Sequence, residues 1–500
     1  MELVYLWVED YKNIHKQGFN FSPRFECEFK DEYDDEGKLK DNCELIIKEK
    51  KDYVSIFPDN INVTAIVGEN GSGKSSILEL LPYGPKSTIN DNIVFLLFYK
   101  NEEYILLNLN TKKHIIILNN NYEKVNYTLY ADIDNIEKKY ELRTIIYDTD
   151  FAKENFKDKD ILKFFDDLTN YGFSFKKEYL ENNNKIFNIE KYKHISNFLI
   201  YILRDELISL NVFFRPIYMK ISNLDMSNSN LKIDEIIESL TNEEIDIDII
   251  NKLKEKKDLF IKLKYNQKIF VNNLDEIKIF FELAIQEYLD IDFYNEKDIS
   301  FSEFSQGERN FYNHFLLLMY INKNHSKSKG KENAFFLIDE PDTTLHPNWQ
   351  KKYVNQLLNI YKNYKKDIHL IITSHSPFIL SDLPKENVIF LEKGKQVYPF
   401  EDNQQTFGAN IHTLLSHGFF MKDGLMGEFA KNKISKILNF LNGKNKFIDI
   451  PINQIKPIIK IIGEDFLREK LLRMYDERFP ISKEEKIKQL EEELKKLRND

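Results

Sequence analysis

A glycine-rich loop between an apolar strand and an apolar helix constrains this chain more than any other feature. Residues 61–81 read INVTAIVGENGSGKSSILELL, so the pattern GxxxxGK[ST], from Gly68 to Ser75, follows a strand-like run and opens a helical one. Glycines let backbone N–H groups close around phosphate oxygens at a helix start, where the peptide dipoles favour negative charge. Lys74 is expected to neutralise the β- and γ-phosphates of a nucleotide, and the Ser75 hydroxyl to ligate Mg²⁺. Gly68, Asn70, Gly71, Gly73, Lys74, Ser75 and Ser76 form the expected binding loop. With only 16 glycines in 500 residues, a chance match in this strand–loop–helix context is improbable.

Three shorter stretches downstream gain meaning from that loop. AFFLIDEPD (334–342) is an apolar strand ending in adjacent carboxylates. Asp339 suits a direct or water-mediated Mg²⁺ contact, and Glu340 is placed to orient and deprotonate an attacking water. FSEFSQGERNF (301–311) precedes the helical run YNHFLLLMYI, with Ser305 as its cap. IITSHSPFIL (371–380) is a second apolar strand, ending in Thr373, Ser374 and His375. Taken singly, these would read as a charged turn, an ordinary helix start and a structural histidine. Their order behind a phosphate loop points instead to one nucleotide site.

Composition narrows the remaining classes. The net charge of −10 argues against a protein that coats nucleic acid, though a local basic groove remains open. Cys27 and Cys43 form no CxxC pair and lie near no histidine cluster, so neither a disulfide scaffold nor a structural zinc is expected. The N-terminus lacks the basic-then-apolar order of a signal peptide, and the longest apolar runs fall far short of the ~20 residues of a membrane helix. The chain is therefore expected to be cytoplasmic, with no membrane partner.

Residues 1–150 alternate like strands: Phe25, Cys27 and Phe29 face one way and Glu26, Glu28 and Lys30 the other. The runs 104–109 and 114–118 flank NTKK as an expected hairpin, and the charged stretch 31–42 as a solvated turn. Between about 150 and 300 the period becomes helical, as in ISNFLIYILRDELISL (195–210). Strand-like runs return at 334–339, 368–373 and 387–392, an alternation that predicts parallel strands with crossover helices. Beyond about 410 the pattern is helical to the end, where Ile487, Leu490, Leu494 and Leu497 form a short a/d seam after a capping box at Ser482 and Glu485. That seam suits a helix packed on its own domain, a solvated tail or a partner contact.

Together the four motifs resemble those of the ABC-type ATPases of the SMC/RecF/OLD group. Ser305-Gln306-Gly307-Glu308 resembles an altered ABC signature, and DEPDTTLHP (339–347) the segment that carries the D-loop. TSHSPFIL resembles the switch region, in which His375 would sense the γ-phosphate, and YLWVEDYKNI the first strand of those heads, with Lys12 and Asn13 approaching the nucleotide. The resemblance implies an α/β fold: a P-loop ATPase head with a mixed sheet and an antiparallel β-subdomain, split by a helical insertion and followed by a helical C-terminal region. The implied divisions are 1–150 and 300–400 for the head, 151–299 for the insertion or lid, and 401–500 for the tail.

The group's stand-alone members from bacterial anti-phage systems, such as those like PtuA of Septu and AriA of PARIS, are the nearest in pattern. The resemblance then implies ATP and Mg²⁺ as cofactors and a head-to-tail homodimer enclosing two ATP, in which Ser305, Gly307 and Glu308 close on the partner's nucleotide. It also implies a separate effector, such as an HNH or Toprim-like nuclease. A RecF-like ATPase that clamps DNA is the alternative, and a scaffold that binds ATP with little turnover a third. The group's coupling glutamine is missing: no Gln lies between Gln17 and Gln267, and Asp148 or Asp150, after the strand 143–147, is either its substitute or an ordinary turn carboxylate. The Lys-rich stretch 251–268 (Lys252, Lys254, Lys256, Lys257, Lys262, Lys264 and Lys268) is either a contact for DNA or RNA phosphates or a solvated helix face. The tail lacks the spaced acidic cluster of a Toprim nuclease, so the chain is not expected to cut nucleic acid itself.

Overall fold

Alternation in the sequence becomes layering in the fold. The computed structural model describes residues 1–81, 93–148, 214–222, 268–270, 290–319, 333–362 and 367–480, apart from interruptions of one to four residues, and isolated positions between 200 and 255. In chain order the first strands are β1 (Glu2–Tyr11), β2 (Ile14–Asn20), β3 (Phe25–Lys30), β4 (Cys43–Glu49) and β5 (Ile61–Gly68). Helix α1 (Lys74–Leu80) leads to β6 (Val94–Lys100), β7 (Glu103–Leu109), β8 (Ile115–Leu118), β9 (Tyr127–Tyr130), α2 (Ile133–Tyr140) and β10 (Leu142–Asp148). Next come β11 (Tyr218–Ser222), β12 (Ile269–Phe270), β13 (Asp290–Tyr294) and β14 (Asn333–Asp339). The first unit closes with α3 (Pro347–Gln350), α4 (Tyr353–Tyr361), β15 (Ile368–Ser374), α5 (Pro377–Ser381), β16 (Val388–Glu392), β17 (Lys395–Val397) and α6 (Ile411–Gly418).

The central sheet has the order β10-β14-β15-β5-β16-β17, parallel except for the edge strand β17. Its inner strands are apolar almost throughout because both faces are covered. Along β5, Val63, Ala65 and Val67 join the core on the helical face, while Ile66 joins a second core beneath the sheet. That second core is roofed by the five-stranded sheet β2-β1-β6-β7-β9. A third core lies between this sheet and the small sheet β3-β4-β8, where Trp7 stacks on Phe95 and meets the edge of Phe29. The α/β class and the antiparallel subdomain expected from the sequence are both present. The alternation of β3 is as read: Phe25, Cys27 and Phe29 are buried and their neighbours exposed.

The expected hairpin between 104–109 and 114–118 does not form. β7 pairs with β6, from Lys100↔Glu103 to Val94↔Leu109, whereas β8 crosses to another sheet and lies parallel to β4. The turn that closes β6 and β7 is Asn101-Glu102, both left-handed at φ 50° and 64°, the geometry whose twist matches a two-residue hairpin. Each run fits a strand equally well; the choice of partner was set by which core each face enters.

The insertion carries strands that the helical expectation for 151–299 did not include. β11 pairs antiparallel with β12 and β13, and the alternating DIDFY of β13 buries Ile291 and Phe293. Ile200, Leu203 and Leu207 keep the helical spacing read from the sequence and share the core of the helical face with these strands and with Phe301 and Phe311. Of the Lys-rich stretch, only Lys254 and Lys268 lie within the described residues. Lys268 pairs with Asp298 at 2.8 Å and stands over the Tyr218 ring.

The first compact unit runs from Met1 to Phe420, twenty residues past the expected start of the tail, because Phe400, Leu414 and Phe419 belong to the head's core. The second unit, Met421–Asp500, contains α7 (Glu428–Leu441), α8 (Ile452–Lys460) and α9 (Asp465–Arg478) around Ile437, Ile455, Ile459 and Leu471. The a/d seam of 487–497 lies outside the described residues.

One buried polar link ties the two large sheets together. The His369 ring in β15 accepts the Leu3 N–H at Nδ1 (3.2 Å), and its Nε2 is 2.8 Å from the Thr64 hydroxyl, which donates to the Phe21 carbonyl. This geometry assigns the proton to Nε2. Full burial, aided by the nearby N-terminal ammonium, pushes the imidazole down to about 3 from its ordinary 6.5. The unfolded chain therefore takes up a proton that the folded one refuses, and stability should fall as pH drops through that window, at up to about 1.4 kcal/mol per pH unit. Urea unfolding of wild type and His369→Gln at pH 7 and pH 5 checks this: the wild type should lose about 1–2 kcal/mol more than the variant.

Candidate nucleotide site

Strand register assembles the site. Ile372 is paired with Ile338 on one side of β15, and Ser374 with Val67 on the other. The C-terminal ends of β14, β15 and β5 therefore finish side by side, delivering Asp339, Thr373 and Gly68 to one edge, where open parallel sheets bind their ligands. β10 extends the row, with Asp148 in register with Asp339.

The loop after β5 places glycine where the backbone demands it. A side chain at Gly68 would stand 2.5 Å from the Leu391 carbonyl, and Gly71 and Gly73 adopt φ 74° and 110°. Asn70 is exposed at the loop, and Ser76 is buried on α1. The Lys74 ammonium folds back over the loop, 3.3 Å from the Gly68 and Glu69 carbonyls and 3.6 Å from Glu340 Oε1. Burial lowers its pKa, while Glu340 and Asp339 pull it back up. The lysine is a desolvated cation held between carboxylates, which strengthens its attraction for a phosphate.

Ser75 Oγ donates to Asp339 Oδ2 at 3.2 Å. These hard oxygens from two elements meet at one point, a donor set that fits Mg²⁺ with its remaining positions filled by phosphate and water. Glu340 is the strained member of the site, with a φ of 40° that costs on the order of 1–3 kcal/mol for a non-glycine residue. Its N–H is held by the Thr373 hydroxyl at 2.8 Å and its carbonyl accepts from Thr343 at 3.0 Å. His375 Nε2 lies 3.1 Å from Glu340 Oε1. Lys74, Ser75, Asp339, Glu340 and His375 thus form one connected cluster.

Other expected residues take different company. Lys12 Nζ pairs with Glu79 of α1 at 2.5 Å, alongside the Tyr11 hydroxyl at 2.6 Å. Asn13 donates to the Gly71 carbonyl. Ser305 and Glu308 form a capping box: the Glu308 carboxylate accepts from the Ser305 hydroxyl at 2.7 Å and from its N–H at 2.9 Å, and Gly307 begins the helix they cap. That turn sits on an aromatic cluster of Phe214, Phe301, Phe304 and Tyr312. Ser305 and Glu308 bond to one another, while the loop's contacts run to Asn13, Asp339, Glu340 and Gly394.

Two contributors escaped the sequence reading. Thr373 donates to Asp339 and accepts from Glu340, so one hydroxyl joins both carboxylate residues; a threonine ending an apolar strand beside the Asp-Glu strand was the available signal. Asp342 is buried, its carboxyl pushed up by desolvation and pulled down by Ser374 and the His375 backbone. It ties the segment after β14 to the end of β15, and Gln350 adds bonds to the Asp342 and Leu345 carbonyls and to Ser376.

A mixed sheet with a GxxxxGK[ST] loop, adjacent carboxylates and a histidine at its strand ends has the arrangement of a P-loop ATPase head of the ABC type. The chain belongs to the family described as AAA domain, putative AbiEii toxin, Type IV TA system, which matches residues 63–381. It is 28% identical over 158 residues to the retron Vc95 probable ATPase of Vibrio cholerae serotype O1 biovar El Tor, covering 30% of this chain and 28% of that protein. It is 37% identical over 60 residues to the retron Ec83 probable ATPase of Escherichia coli, covering 12% of this chain and 10% of the relative. The matches therefore span less than a third of these relatives' own length. Among solved structures it is similar to the SMC head domain from Thermotoga maritima, with 13% identity, a TM-score of 0.32, and coverage of 80% of this chain and 100% of that one. Among the described residues, no helix is long and apolar enough to cross a membrane.

Replacing Thr373 with valine keeps the shape but strands the Glu340 N–H and removes a donor from Asp339. Denaturant unfolding should show a loss of about 1–3 kcal/mol.

Proposed function

We propose that the chain binds ATP with Mg²⁺ and hydrolyses it, and that nucleotide-driven closure of a head-to-tail dimer regulates a separate effector in anti-phage defence. The observation that carries the catalytic part is the cluster of Lys74, Ser75, Asp339, Glu340 and His375 at the ends of β5, β14 and β15. Lys74 binds phosphate oxygens, and Ser75 with Asp339 holds the cation, which offsets phosphate charge when bound. Glu340 orients and deprotonates the attacking water, and His375, hydrogen-bonded to it, keeps that carboxylate aimed and faces the γ-phosphate.

The dimer follows from one phosphate loop and one signature in the chain: Ser305, Gly307 and Glu308 reach a nucleotide only across a two-fold interface. On this reading Lys12 and Asn13 flank the nucleotide, residues 151–299 act as a lid or sensor, and the C-terminal unit offers a partner surface. Regulation of an effector rests on the resemblance to stand-alone defence ATPases and on relatives named as retron ATPases. A RecF-like ATPase that clamps DNA fits the same site equally well, and the Lys268–Asp298 pair, exposed at the surface, leaves that lysine exchangeable with a phosphate.

Glu340→Gln should still bind ATP but release phosphate at least about 100-fold more slowly than wild type. Light scattering should find it as an ATP-dependent dimer; a variant that stays monomeric in ATP would overturn the sandwich. Phosphate release by wild type with and without duplex DNA separates the two functional readings, because strong stimulation of the lone chain by DNA belongs to the clamp.

A further inference from the structure

Two hairpin tips from distant parts of the chain press on the outside of the phosphate loop. The first is Lys12-Asn13, the turn closing the Tyr11↔Ile14 pair of β1 and β2. The second is Lys393-Gly394, the turn closing the Glu392↔Lys395 pair of β16 and β17, left-handed at φ 52° and 79°. Asn13 Nδ2 donates to the Gly71 carbonyl at 2.7 Å, and Asn13 Oδ1 lies 3.5 Å from the Ser76 hydroxyl. The Gly394 N–H donates to the Ser72 carbonyl at 2.9 Å. The tips also touch each other: a side chain on Gly394 would sit 1.9 Å from the Asn13 carbonyl oxygen. Farther along, Gln396 of β17 accepts the Asn20 N–H of β2 at 2.9 Å, stapling the two hairpins together.

Peptide planarity turns these outward contacts into inward consequences. The carbonyl of one residue and the N–H of the next lie in one plane and point opposite ways. Holding the Ser72 carbonyl outward with Gly394 therefore aims the Gly73 N–H toward the concave side of the loop, where a phosphate is bound through backbone N–H groups. Holding the Gly71 carbonyl with Asn13 fixes the preceding peptide, whose Ser72 N–H donates back to the Glu69 carbonyl at 3.1 Å and so sets the curvature of the loop. An anion-binding loop rich in glycine gains affinity when it is ordered before the ligand arrives.

We propose that Gly394 and Asn13 are positioning residues that clamp the Gly71–Gly73 peptides, so that affinity for the nucleotide's phosphates is set by two hairpin tips remote in sequence from the loop. The proposal rests on the loop's being the nucleotide site. Gly394 holds its place for two reasons: its left-handed φ, and the 1.9 Å approach of the Asn13 carbonyl oxygen, which no side chain can accept. Substitution there must push the two tips apart and release the Ser72 carbonyl.

The test is titration of the full chain with a fluorescent ATP analogue, with melting followed in parallel. Gly394→Ala should weaken binding by about tenfold or more, as expected when a binding group is displaced by an ångström. Gly408→Ala is the control for backbone strain, because Gly408 has φ 69° and nothing within 4 Å of an added side chain. It should melt at a temperature similarly lowered yet bind as wild type does. Asn13→Ala should weaken binding, and the double variant should lose less than the product of the single losses, because the two residues touch and hold adjacent peptides of one loop. Multiplicative losses would assign Asn13 a direct contact with the nucleotide and overturn the clamp. So would a Gly394→Ala protein that binds as well as Gly408→Ala. Should Gly394→Ala fail to fold, Gln396→Ala loosens the same pair of hairpins without backbone strain and must then show the weakened binding. A wild-type chain that binds no nucleotide would refute the site itself, an outcome distinct from failure of the clamp.

Discussion

The hydrogen-bond register of β15 against its two parallel neighbours is the constraint on which the rest depends. Shift β15 by one residue against β14, and Thr373 no longer meets Asp339 and the Glu340 N–H; shift it against β5, and His375 leaves the end of the strand that carries the glycine-rich loop. Register in a buried parallel sheet is strongly specified, because a one-residue slip turns every side chain to the opposite face. Here the two faces feed different cores, with Ala334, Phe336 and Ile338 on one side and Phe335 and Leu337 on the other. His369 adds a polar lock, since its ring fits only where Leu3 and Thr64 supply partners. Packing therefore protects the geometry of the chemistry without taking part in it.

At the strand ends the energetics reverse. The sheet interior is apolar and satisfied, whereas its edge concentrates a buried lysine, adjacent carboxylates and a glutamate with left-handed backbone. Such a site is costly in isolation, since a desolvated charge is tolerated only when paired and hydrogen-bonded. Glu340 meets part of that cost by lying near both Lys74 and His375. The same arrangement leaves Lys74 with a partner that a phosphate can replace, so ligand exchange at the lysine also frees the glutamate proposed to handle water.

The elements that carry the motifs were legible in the sequence because each motif is short and local. Gly68 to Ser75 must form a strand–loop–helix turn whatever surrounds it, and an apolar strand ending in Asp-Glu announces its own buried and exposed ends. Contacts between segments were harder. The run 114–118 carries no mark that it would leave 104–109 for β4, since both partners offer the same pattern. The strands of the insertion were hidden for a similar reason: β11 and β13 are five residues each, too short for their alternation to outweigh the helical periodicity of the surrounding sequence. Thr373 was visible as a residue but not as a link, because its two partners lie in another strand.

Residue order alone determined the α/β class, the phosphate loop, the carboxylate pair and the helical tail, all of which are consequences of local periodicity and local chemistry. Only the tertiary structure decided which strands are neighbours, that Lys12 turns to Glu79, and that Asn13 and Gly394 meet over the loop from hairpins far apart in the chain. Those outcomes depend on which faces share a core, and hydrophobic burial is non-directional. It says that Ile66 and Leu391 will leave water, but their shared place beneath the central sheet is set by the whole set of competing contacts.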